Sequence, residues 1–514
     1  MRMRMIVSLG LLAVFGDAAA QNVVCDRAPS VTLVNPVVLG NGMAGSVTTA
    51  QLQAALDAGG QVRLDIGGAA STLAVTQTLS ITRAVVLDAG GARLSGANAR
   101  RVFRIANPSN ATYAITLQNL VVANGDSRTA PGDDQFEQSG AGILKTSGGP
   151  WQAVSLDLVD CAFLNGTAVE TAQDGGGGGA YLTGMDRVRI RNCLFEGNRG
   201  SNGGAFYSLG SRTISIADSV FVDNQATGNS GNPGNGGNAG AIGVDGAMRT
   251  FTLCDTRVEN NIGRAYGAGF FSVMYDTQSF TGFSNATFSG NQILAGFGFA
   301  AGAYVQGGPF AVETSTFAAN TADGFTGLFV GPGATGRVVN STFASNVARQ
   351  GLGAGIAHNS SVPLLILNTT IAGNSAGAFA AGITTASGAN GLTLQNVVLA
   401  NNTGGNAFVS WGINNAAQFD GGGNVQWPMQ RPNGGAEVRA TSGALFADPL
   451  LAPLANNGGP TPTQALGAGS PAIDRGNGAG APSSDQRGMS RCGVPDSGAY
   501  ETSAPGMIFC NGYE

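Results

Sequence analysis

Along most of the chain, apolar and polar residues alternate in short runs. Val188 and Ile190 are interleaved with Arg189 and Arg191, and the same spacing returns at Ile214 and Ile216, Phe251 and Leu253, Phe310 and Val312, Leu364 and Ile366, and Leu392 and Leu394. A period of two sends alternate side chains to opposite faces, so each run predicts a strand with one face buried. Each run leads into a polar anchor, with a large apolar residue three positions later and an asparagine six positions later. The copies are Asn192, Phe195, Asn198; Asp218, Phe221, Asn224; Asp255, Val258, Asn261; Asn285, Phe288, Asn291; Thr314, Phe317, Asn320; Asn340, Phe343, Asn346; Asn368, Ile371, Asn374; and Asn396, Leu399, Asn402. Asp160, Phe163, Asn165 is a copy one residue shorter.

From Phe195 to Leu399 the apolar members recur at steps of 26, 37, 30, 29, 26, 28 and 28 residues, and a glycine-rich turn with a small-small-apolar step follows, as in Gly204, Ala205, Phe206. Each coil thus carries about two strands. A coil of ~28 residues cannot bury its own apolar face, whereas stacked coils bury all of them and pair their backbones. The pattern predicts an all-β fold, a right-handed parallel β-helix. Asn and Asp then fix corners and stack as a ladder, beside phenylalanines stacked in the core.

The ends need caps. Leu52, Ala55 and Leu56 share one helical face ahead of Gly59 and Gly60, which predicts a short capping helix. The predicted organisation is a signal peptide at 1–20, an N-terminal segment with the capping helix at 21–61, the β-helix at 62–430, a small C-terminal module at 431–502 and a tail at 503–514. The first 20 residues combine Arg2 and Arg4, an apolar run from Met5 to Phe15 and the small residues Ala18, Ala19 and Ala20. That is the order of a secretory signal peptide. No later stretch is apolar enough to span a bilayer, so no transmembrane segment is expected, and the product is secreted or held at the outer cell surface.

Composition narrows the picture. Only 11% of the 514 residues are charged and 82 are glycine, which fits neither disorder nor an ordinary helical enzyme. A formal charge of -5 with Lys145 as the only lysine gives no cationic surface for nucleic acid. Six cysteines in an exported chain can form disulfides. Cys161 and Cys193 follow equivalent anchors, so neighbouring coils could bond them or stack them as two thiols; Cys492 and Cys510 could close the carboxyl end.

Candidate chemistry is thin. Asp126, Asp133, Asp134 and Glu137 form the densest acidic stretch, read as a solvated loop; calcium binding or catalysis is the alternative there. Otherwise no cofactor or metal is called for. Outward Arg189 and Arg191, with Asp157 on the preceding coil, are the candidates for a lyase base. His358, the sole histidine, is placed in a turn. Asp474, Asp485, Arg487, Asp496 and Glu501 sit among Pro and Gly, where turn-fixing hydrogen bonds are the simpler role.

Pairs such as Phe195 to Asn198 with Gly203 to Ala205 resemble the repeats of polymorphic outer membrane proteins, over roughly residues 110 to 410. The blocks Asp448 to Leu450, Asn457 to Leu466, Gly469 to Asp474, Asp485 to Gly488 and Asp496 to Glu501 resemble the choice-of-anchor Q domain of bacterial surface and secreted proteins; members often have His where this chain has Gln464. These resemblances imply an exported bacterial β-helix protein with an adhesin-like role, binding glycans or cell-surface components, and a tail that could serve as a sorting motif; the missing catalytic constellation makes the role a non-catalytic one. The alternative is a polysaccharide lyase or glycoside hydrolase on the same scaffold.

Overall fold

The computed structural model describes residues 22–502 apart from 109, 131–133, 147–152, 232, 297 and 387–390. The expected signal peptide, the tail and Asp133 lie outside the described residues.

The expected right-handed parallel β-helix is borne out, with about 13 turns. One coil serves for all. It runs through Phe206–Leu209, Thr213–Ala217, Val220–Val222 and Gln225–Ala226, and each strand pairs in parallel with its equivalent one coil on. The coil therefore has four sides rather than two strands. The extra sides escape a periodicity argument because strands of three and two residues contain too little alternation to register.

The two positions of the repeat divide the labour. The anchors Asn192, Asp218, Asp255, Asn285, Asn340, Asn368 and Asn396 all have φ between 45° and 55°, a region Asn and Asp tolerate better than other non-glycine residues. They turn the corner between the second and third sides. The asparagines six positions later point inward and are buried: Asn198, Asn224, Asn261, Asn291, Asn320, Asn346, Asn374 and Asn402. In each step one side-chain amide donates to the next asparagine's oxygen, at 2.9 to 3.0 Å. Asn165 is not part of this ladder. It occupies a second left-handed corner at φ 55°, and the Gly166 amide N–H takes the ladder position by donating to Asn198. Between the two asparagines the rings stack: Phe163, Phe195 and Phe221 at 4.6 Å, and Phe288, Phe317 and Phe343 at 4.7 and 4.8 Å.

The helix spans Thr49–Ala58 behind a Thr48–Gln51 capping box and buries Leu52 and Leu56 completely. Parallel pairing starts before it, where Val37–Gly40 joins Gly60–Asp65, upstream of residue 62. His358 lies in the strand Ile356–His358 rather than in a turn, fully buried, its Nε2 within 3.1 Å of the Val362 carbonyl.

Of the two arrangements open to Cys161 and Cys193, the structure has the two stacked thiols. Cys25 is bonded to Cys254, while Cys161 and Cys193 are buried free thiols that donate to backbone carbonyls. In-register parallel coils hold equivalent Cβ atoms ~4.8 Å apart, beyond the ~3.8 Å a disulfide prefers. Cys510 lies outside the described residues, and with it the expected closure onto Cys492.

Both ends fold back along the rod. Residues 22–34 form a strap across one sheet, touching Arg337 through Asn22, Cys254 through Cys25, Asp218 and Asp255 through Arg27, Arg191 through Ser30, Gln118 through Val31 and Gln61 through Val34. Nine parallel pairings separate the coil of Gln61 from that of Arg337, a span of ~43 Å at ~4.8 Å each. Twelve residues at ~3.5 Å reach ~42 Å, so the strap is nearly fully extended. The C-terminal segment lies on the third side of the later coils. Gln486 bonds Thr316 and Thr342, Arg491 bonds Asn340, the Ala499 amide bonds Thr370 and the Asn477 amide bonds Asn396. The anchors Asn340, Asn368 and Asn396 are buried there, whereas Asn192 is exposed.

Candidate functional site

The strap and the C-terminal segment occupy parts of two long faces. Arg189 does point outward, but it makes a two-bond contact with Asp157 at 2.7 and 2.8 Å and a third bond to Asp26 of the strap; its side chain is 13% exposed. Arg191 bonds Ser30 of the strap. These arginines hold the strap down, and a guanidinium saturated by carboxylates is a poor base.

In the polar cluster of the C-terminal segment Asp485, Asp496 and Glu501 are buried, while Asp474 is exposed. Asp485 accepts from the amides of Arg487, Met489 and Glu501 and pairs with Arg487. Asp496 accepts from the Asp474 amide and from Thr502. Glu501 pairs with Arg491 at 2.7 Å, and burial pushes its carboxyl up to about 7. These groups tie the turns together and leave no face for a ligand. Of the acidic loop, Asp126 is paired with Arg128 and Glu137 with Arg104. Among the described residues no group of three or more His, Cys, Asp or Glu could hold a metal ion.

Two grooves remain open. One, of about 740 Å³, follows the third side over the early coils, beside Asn119, Asp160 and Asn192 and above Val121, Leu194 and Val220. It continues the surface that the C-terminal segment covers further along.

The other, of about 650 Å³, lies on the first side. Here the strands Ile143–Lys145, Ala180–Thr183, Phe206–Leu209, Ile242–Gly246 and Phe270–Met274 send Leu144, Tyr181, Tyr207, Gly243 and Phe271 outward in register. Loops bearing Phe136, Tyr266 and Phe299 roof this column. Gly243 is required, since a Cβ there would sit 2.4 Å from the Tyr207 ring. The next outward column, Thr183, Leu209 and Asp245, is the groove floor. Asp134, Glu137, Asp174 and Tyr275, the last 69% exposed, complete its lining.

The electrostatics of this groove are set by desolvation. Burial raises the Asp245 carboxyl to about 6, although a hydrogen bond from Tyr275 works the other way. Tyr275 is pushed to about 12 by burial and by Asp245. Arg104 holds Glu137 below the usual carboxylate range. Tyr207 is fully buried, its hydroxyl has no hydrogen-bond partner among the described residues, and it lies in the field of Asp245, Tyr181, Asp174 and Tyr275. Lys145 runs beneath, its Nζ donating to the Thr146 and Thr183 carbonyls, and burial lowers its pKa. The groove thus offers a half-ionised carboxyl near pH 6, further carboxylates and an exposed ring.

The acidic loop supplies Asp134 and Glu137 to this groove, but Asp174, Asp245 and Tyr275 were not singled out by sequence. Asp245 could have been found by register, three positions after Ile242 in a coil whose neighbours place Leu209 and Val273 there.

No family model matches the chain, and no curated protein does. Among solved structures it is similar to tailspike protein 3 of bacteriophage CBA120, at 13% identity and a TM-score of 0.40, over 80% of this chain and 62% of that one. It therefore spans less than two thirds of the tailspike's length. It is similar to pectate lyase Pel9A, at 13% identity and a TM-score of 0.36, over 91% and 96% of the two chains, and to PfbA, a surface adhesin of Streptococcus pneumoniae, at 12% identity and a TM-score of 0.31, over 75% and 92%. Identities this low bear on the fold alone.

Proposed function

We propose that this is an exported bacterial β-helix protein, secreted or held at the outer cell surface, that binds glycans without cleaving them. The observation that carries the reading is the loop-walled groove on the first side, where exposed Tyr275 stands over a floor of Thr183, Leu209 and Asp245. An aromatic ring offers an apolar face to a sugar, and carboxylates accept from its hydroxyls. Export rests on the signal-peptide pattern of residues 1–20 and on the choice-of-anchor Q resemblance of residues 448–501. No helix among the described residues is long and apolar enough to cross a membrane.

Glycan-array binding by the full chain and by Tyr275→Ala tests this. Saccharide binding that drops at least tenfold in the variant is expected, and binding that ignores Tyr275 would sink the assignment to this groove. The second reading, a carbohydrate-active enzyme, is favoured by Asp245, poised near pH 6 beside Asp174, as acid-base pairs require. Reproducible cleavage lost in Asp245→Asn would establish it in place of the first.

A further inference from the structure

One outward column of the third side changes character along the rod. Over the early coils it carries Val121, Ala162, Leu194 and Val220 in register. Arg257, paired with Glu259, ends that aliphatic run, and further on the same column is Thr316, Thr342 and Thr370. These threonines are buried under the C-terminal segment, which bonds each of them through Pro462, Gln486 or Ala499. The four aliphatic side chains are only half-buried and floor the open groove of about 740 Å³.

The corner beside this column repeats the contrast. Under the segment, Asn396 Oδ1 accepts from the Asn477 backbone amide at 2.6 Å and Asn340 Oδ1 from Arg491 at 3.1 Å, while Nδ2 of Asn340 and of Asn368 donates to the carbonyls of Ser484 and Asp496. In the open groove the equivalent Asn119 and Asn192 donate to the carboxylates of Asp88 and Asp160, and their Oδ1 atoms accept nothing from the described residues. The groove is thus the open end of a surface that already holds polypeptide main chain.

Its dimensions decide what fits. Three pairings separate Val121 from Val220, ~14 Å at ~4.8 Å each, and its three-residue strands are ~10 Å long. A floor of ~140 Å² is far below the ~800 Å² that each partner of a stable protein pair contributes, so it does not hold a second rod. It suits four or five residues of an extended segment at ~3.4 Å each. No aromatic ring is among the described residues that line it, so it lacks the platform that a sugar face takes.

We propose that this groove docks an extended aliphatic segment of a partner protein, its apolar side chains on Val121, Leu194 and Val220 and its backbone N–H groups donating to Asn119 and Asn192. Fluorescence anisotropy of the full chain with the labelled nonapeptide Gly-Ser-Val-Thr-Val-Thr-Leu-Ser-Gly tests it. The expected result is saturable binding, at least tenfold weaker for the same peptide with Asp in place of its Val and Leu residues. Leu194→Asp should weaken the aliphatic peptide at least tenfold, and Leu194→Met, which keeps the floor apolar, less than twofold. The peptide pair reads the same preference without any variant, should Leu194→Asp fail to fold.

Binding of neither peptide, equal binding of both, or aliphatic-peptide binding unchanged in Leu194→Asp overturns the proposal. Displacement of the peptide by cellohexaose overturns it in favour of a sugar. A dimer in sedimentation that Leu194→Asp dissociates overturns it in favour of a second copy, and protection of residues 503–514 from hydrogen exchange that Leu194→Asp removes overturns it in favour of the chain's own tail.

Discussion

Replacing Asn261 by Ala separates the two asparagines of the repeat. Asn261 Oδ1 accepts from the Asn224 backbone amide and side chain, both at 3.0 Å, and its Nδ2 donates to the Phe221 carbonyl at 3.0 Å and to Asn291 Oδ1 at 2.9 Å. The side chain is fully buried, so alanine leaves two donors and one carbonyl unpaired where water does not reach. Asn291 Oδ1 still accepts from the Asn261 backbone. At roughly 1 to 3 kcal/mol for each of the three orphaned groups, the cost is about 3 to 9 kcal/mol. Asn192→Ala at the exposed anchor loses one bond to Asp160 and places alanine at φ 51°, a cost of about 1 to 2 kcal/mol. Guanidinium unfolding followed by far-ultraviolet circular dichroism reads both. Equal shifts for the two variants, or less than about 1 kcal/mol for Asn261→Ala, would refute the division of labour between corner and ladder.

Removing the disulfide with Cys25→Ser and Cys254→Ser opens a loop of 229 residues, worth up to about 5 kcal/mol by chain entropy. Hydrogen exchange should quicken at Val31 and Val34 while the Asn ladder stays protected; unchanged exchange in the strap would contradict its role as a latch. Asp245 has a folded pKa of about 6 against an unfolded value of ~3.9, so the folded state holds a proton that the unfolded state releases between those limits. Its contribution, on the order of 2 to 3 kcal/mol, is complete below pH ~4 and lost as pH rises through 6. With Asp174, Tyr275 and Tyr207 around it unchanged, Asp245→Asn should flatten that part of the stability profile, and parallel profiles would disprove it.

The repeat was readable because two signals coincide in it: period-two burial and polar residues at fixed offsets. Sequence could not tell Asn192 from Asn198, since the same residue type serves an exposed left-handed corner and a buried hydrogen-bond chain; only the side-chain direction differs. Nor could it place Asn165, where one residue fewer moves asparagine from the ladder to the neighbouring corner. The strap was invisible because residues 22–34 carry no alternation and take their shape from surfaces 27 to 315 residues away. Asp245 is legible only by carrying the register on from Ile242. Its outward direction depends on a register that passes through an insertion, the 37-residue step between Phe221 and Val258.

The strap also imposes an order of events. A chain that appears amino end first holds Cys25 without its partner until Cys254 has been made, 229 residues later, and holds Asn22 without Arg337 for 315. Because the strap lies antiparallel to the direction of stacking, its Val34 end can seat on the first coils while the other end waits. Each new coil offers the next foothold, and a coil laid down out of register offers none. Closure at Asn22 thus requires all ten successive rungs, from that of Gln61 to that of Arg337, to be in place.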